Sequence, residues 1–69
     1  MKKLLEDAIQ AEHDAMRFYK KTSELVKNKI ARKKLTNLSK EEESHERNLT
    51  KMYRKLFEES FTPDDKFNV

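Results

Sequence analysis

The chain has no cysteine, no glycine, no tryptophan and a single proline in 69 residues. Without cysteine, neither a disulfide nor a thiolate metal cluster can staple it. With no glycine and one proline, the signals for tight turns and strands are nearly missing, which leaves an all-α chain. No apolar run approaches the roughly 20 residues of a membrane span, and the N-terminus lacks a signal-peptide core. We therefore expect a cytoplasmic protein with no membrane partner. The 16 basic and 13 acidic residues leave a net charge of +3, too mild to indicate nucleic acid as the partner. A chain this short also buries too little surface to be comfortably stable alone. Its staple must come from a metal held by ligands other than cysteine, from oligomerisation, or from both.

What is present is charge on a helical period. From about residue 3 to 26, Leu5, Glu12, Tyr19 and Val26 form one row, and Leu4, Ala11, Phe18 and Leu25 form a second. With Ala8, Ile9 and Ala15 they make an apolar face wider than one helical neighbour requires. Phe18 and Leu25, off the first row, are candidates for contacts with another chain. Lys27-Asn28-Lys29 is the break, with Asn28 placed to cap the next helix. A second helix runs from about 29 to 59, with Ala31, Leu35, Leu38, Leu49, Met52 and Leu56 on one face. So short a connection predicts an antiparallel hairpin over residues 1–60. Residues 61–69 form a tail: Thr62 precedes Pro63 and is turned away from helix, and Phe61 and Phe67 are suited to docking on a surface.

Three ionisable residues interrupt the apolar stripes: Glu12 in the first helix, Glu42 and His45 in the second. Such groups are costly there unless paired, protonated or bound to a metal. Glu12 lies 16 residues before Asn28, Glu42 lies 14 after it and His45 17 after it. At about 1.5 Å per residue, a hairpin brings all three within roughly 5 Å of one height. Glu42 and His45, three apart, share a face. Ala8 and Ala15, one turn either side of Glu12, leave room for ions. Two such hairpins about a two-fold axis form a four-helix bundle that covers the wide face. The homodimer then gathers four Glu and two His, the ligand inventory of carboxylate-bridged di-iron and di-manganese bundles. Four carboxylates balance two divalent ions, and this donor set suits Fe or Mn, with Zn as a substitute.

The run Ala8-Ile9-Gln10-Ala11-Glu12, then Phe18-Tyr19, then Leu38-Ser39-Lys40-Glu41-Glu42-Glu43-Ser44-His45 resembles the rubrerythrin branch of the ferritin-like superfamily. The resemblance covers most of residues 8–56. With one hairpin instead of two, the chain is also similar to the encapsulated ferritins, which build their iron site across a subunit interface. The resemblance implies Glu12 as the first-helix ligand, Glu42 as the bridging carboxylate and His45 as the terminal imidazole. It places Tyr19 among the aromatics near the metals. It further implies two Fe per dimer, ferroxidase-type oxidation of Fe²⁺ by O₂ or peroxide, and a role in iron storage or oxidative-stress handling. A higher oligomer and residence inside a protein shell belong to the same expectation. The missing rubredoxin-like cysteine site argues against a self-contained peroxidase.

Other residues read more plainly. His13 points about 100° from Glu12 and is a boundary residue, and Tyr53 is packing. Glu41, Glu43 and Glu46 form a solvated face, with Glu46 as a candidate auxiliary cation site. Lys29, Arg32, Lys33 and Lys34 crowd the start of the second helix, the unfavourable end for cations. They read first as a solvated face and only second as a binding patch, the basis of the competing reading: a non-catalytic helical homo-oligomer that binds an acidic partner or nucleic acid.

Overall fold

A computed structural model describes residues 1–67; Asn68 and Val69, the end of the expected tail, lie outside the described residues. Two helices, α1 (Lys2–Leu25) and α2 (Lys29–Phe57), pack against each other as a hairpin, with no strand among the described residues. The connection is three residues. Val26 leaves α1 in extended backbone, and the Asn28 side chain accepts from the Ala31 backbone N–H at 3.0 Å, capping α2 as expected. The Arg32 guanidinium donates to the Val26 carbonyl at 2.8 and 3.3 Å. That cation at the start of α2 therefore serves the carbonyl end of α1, where positive charge is favourable. At the far end, Glu58 takes the left-handed position (φ 54°, ψ 33°) that a glycine would ordinarily fill. The helix stops there, two residues short of the expected 59, and α1 ends one short of 26.

The molecule measures 43 × 22 × 15 Å. A thickness of 15 Å is one layer of helices, each about 10–12 Å across with its side chains. The core is correspondingly small and lies at the end away from the turn: Leu5, Ile9 and Tyr53 are buried, with Leu49, Phe57 and Phe61 packed on them. The Tyr53 hydroxyl donates to Glu6 at 2.6 Å, tying the helices together. In the turn half the buried residues are small. Ser39 donates its hydroxyl across the seam to the Met16 carbonyl at 3.0 Å, and Ser23 turns back on Lys20. Short side chains that satisfy their own hydroxyls let the two backbones approach closely. Ile9 is the pivot of the core at 0 % exposure. Ile9→Ala should cost about 2–5 kcal/mol, read as a lower midpoint in urea melts. Leu4→Ala, 70 % exposed in the hairpin, tests the open face instead.

The tail docks along α1. Phe61 stacks against Tyr53 with ring centroids 5.8 Å apart. Gln10 grips the backbone of Asp64 twice, donating to its carbonyl at 2.8 Å and accepting from its N–H at 2.9 Å. Asp65 pairs with Arg17 at 3.1 Å and Lys66 with Asp14 at 3.2 Å. One flank of the hairpin is thereby covered. The opposite flank stays open: Leu4, Phe18 and Leu25 of α1, and Ile30, Leu38, Met52 and Leu56 of α2, are all exposed. These two exposed apolar rows, one on each helix, are what a single hairpin cannot bury.

Candidate metal centre

Glu12 is the eleventh of the 24 residues of α1, while Glu42 and His45 are the fourteenth and seventeenth of the 29 in α2. All three lie near mid-length of the hairpin, as equal distances from the turn require. One ligand atom from each falls within 4.8 Å of the others, the one such group among the described residues. His45 Nδ1 is 3.3 Å from Glu12 Oε2 and 3.7 Å from Glu42 Oε2. Glu12 and Glu42 are largely covered, whereas 56 % of the His45 side chain remains exposed. His45 stands in the open row between Leu38 and Met52, so the group sits at the lip of the seam and faces the uncovered flank.

The electrostatics suit a cation. Glu12 Oε2 is buried without a hydrogen-bond partner, an expensive state for a carboxylate oxygen. Glu42 is held above the ordinary glutamate range. The first cause is the hydrogen bond it shares with Glu12; burial and the charge of Glu12 add to it, and His45 opposes it. Two facing carboxylates and an imidazole thus make an oxygen-rich set with an orphaned lone pair, the donor chemistry that Fe²⁺ and Mn²⁺ take.

The other singled-out residues fall elsewhere. Tyr19 is half-buried with its ring edge-on to Phe18 at 5.8 Å, and among the described residues its hydroxyl makes no hydrogen bond. Tyr53 is core, as read. Glu46 is occupied: its carboxylate accepts from His13 Nδ1 at 3.0 Å, so it is tied up in a bond between the helices. His13 is mostly covered, with only 14 % of its side chain exposed. It lies under the tail, a placement that sequence reasoning missed because the contact with Asp65 spans 52 positions.

The family model described as rubrerythrin matches residues 3–67. No curated protein and no solved structure matches the chain. That match takes in both helices and the docked tail, and the two-helix architecture fits one half of a ferritin-like bundle. The chain belongs to the rubrerythrin family, as a single ferritin-like helical hairpin.

Proposed function

We propose that this hairpin is half of a di-iron carboxylate protein with ferroxidase-type activity, its metal centre assembled at a homodimer interface from Glu12, Glu42 and His45 of each copy. The observation that carries the reading is the position of the ligand set: mid-length, at the lip of the seam, incomplete, and facing the exposed apolar rows. A two-fold axis perpendicular to the helices at that height brings both sets together and covers both rows. An axis elsewhere along the 43 Å length would separate them. The same axis sends the two lysine-rich turns to opposite ends of the bundle, where their charges repel least.

Two Fe²⁺ held there by Glu12, Glu42 and His45 of each copy would supply the electron pair that, with two protons, reduces O₂ to hydrogen peroxide. The chain's own part is to hold the ions. Glu12 and Glu42 supply negative charge from opposite walls of the seam. His45 supplies a neutral nitrogen from the open side. Leu38 and Met52, on either side of His45, shield the site from water once the partner is in place.

Sedimentation combined with metal analysis, on protein purified without chelator, tests this. The expected result is a dimer or a multiple of it carrying about two metal ions per dimer, with Phe18→Lys giving a monomer that has lost its metal. A folded, monodisperse wild-type monomer at micromolar concentration would rule the assembly out. Metal-free protein whose binding to polyanions falls steeply with salt would favour the competing reading of the lysine-rich turn.

A further inference from the structure

We infer that His13 is a positioning residue that clamps α1 to α2 beside the metal site, with the tail bracing it. The inference rests on the metal reading above and adds residues that lie outside the ligand set. His13 follows Glu12 directly on α1, and Glu46 follows His45 directly on α2. Their bond, from Nδ1 to the Glu46 carboxylate at 3.0 Å, therefore crosses the seam at the height of the ligands, on the flank opposite the open face. The other cross-helix side-chain hydrogen bonds lie on either side of it along the hairpin, the nearer one about a turn away. Tyr53 to Glu6 is near the termini, and Ser39 to the Met16 carbonyl is toward the turn.

The position matters because Glu12 and Glu42 repel whenever both are charged. Two helices can relieve that repulsion by rolling apart about their long axes. A bond on the far flank of the same seam opposes the roll, since opening the ligand side must stretch or shear it. The tail packs behind the clamp: Asp65 lies 3.7 Å from His13 Nε2, which has no hydrogen-bond partner, and is paired with Arg17 at 3.1 Å. Arg17 also donates to the Phe67 carbonyl at 3.4 Å, and Gln10 grips the Asp64 backbone. The tail thus backs the imidazole on the side away from Glu46. Its docking has a use at the site, although Asp65 is no ligand.

The test compares three variants by Mn²⁺ affinity in titration calorimetry, the visible spectrum of Co²⁺-loaded protein, and melting of the apo form. His13→Leu should bind Mn²⁺ about tenfold more weakly and shift the Co²⁺ bands, because the ligands no longer converge in one geometry. His13→Asn keeps an N–H donor close to the Nδ1 position and should recover most of both signals. Tyr53→Phe removes a cross-helix bond of similar kind at the termini and should leave affinity and spectrum as in the wild type, whatever it does to melting. Wild-type affinity and spectrum in His13→Leu overturn the clamp, as does an equal loss in Tyr53→Phe, which would reduce the effect to general stability. Should His13→Leu not fold, Glu46→Ala breaks the same bond from the other helix, and unchanged Mn²⁺ affinity there is equally fatal. A wild-type protein that binds neither Mn²⁺ nor Co²⁺ overturns the metal reading and the clamp together.

Discussion

Anaerobic protein given two Fe²⁺ per dimer is expected to develop a ferric near-ultraviolet absorption within seconds of exposure to air, and Glu42→Ala is expected to lose it. Glu42 faces Glu12 across the seam and lies 3.7 Å from the His45 imidazole on its own helix. Like Glu12, it adjoins both other members of the group while largely covered. Its removal takes out one carboxylate per hairpin and leaves Glu12 without the group opposite it. In the proposed dimer two negative charges would disappear from a set of four that matches two divalent ions, so both affinity and the spacing of the ions would suffer. The rate should fall to that of Fe²⁺ in buffer. Glu41→Ala, one position away on the exposed side, serves as the control and should oxidise iron like the wild type. Wild-type rates in Glu42→Ala would mean that the ligands have been misassigned.

The parts of this molecule that sequence revealed are those written in local periodicity. The hairpin follows from two long apolar stripes broken only at Asn28, and the cap formed as its side chain requires. Glu12, Glu42 and His45 stood out because each interrupts a stripe. Their distances from the turn were sufficient to bring them to one height, and one oxygen or nitrogen of each lies within 4.8 Å of the others. What sequence concealed was of two kinds. Serine reads as a surface residue, yet Ser23 and Ser39 are buried in the hairpin, a demand set by the neighbouring helix and invisible in the helix that carries them. The tail's contacts are the second kind. Gln10, Asp14 and Arg17 lie on what reads as the solvated face of α1, but each engages a residue about 50 positions later. Nothing in the local pattern marks a polar face as a docking surface. His13 is a boundary residue outside the group of three, as its angle from Glu12 implies, but the tail that lies on that side was not foreseeable.

The widest separation between apo and metal-bound protein is expected in their melting behaviour, and Glu12→Gln should narrow it from both sides. With no cation present, Glu42 has its pKa raised in the folded state, first by the hydrogen bond shared with Glu12, then by burial and by the charge of Glu12. The folded apo protein therefore holds more protons than the unfolded chain. Its contribution is fully present below the unfolded glutamate pKa and is lost as pH rises through the raised folded value. Apo melting temperature should accordingly fall from mildly acidic pH toward neutrality. Metal replaces the shared proton and removes the penalty. At 100 times its dissociation constant an ion adds about 2.7 kcal/mol, more than ten degrees in a protein of this size, and its binding should release protons. Glu12→Gln puts an amide donor opposite Glu42 where a second carboxylate stood. The apo variant should gain on the order of 1 kcal/mol at neutral pH, with a flatter pH profile, while its metal-dependent shift shrinks because a charged ligand has become neutral. Melts of both proteins at pH 7.5, with and without Mn²⁺, read the two effects together. A bundle whose carboxylates serve packing alone would show the same shift with metal in both proteins, and that outcome would sink the assignment of Glu12.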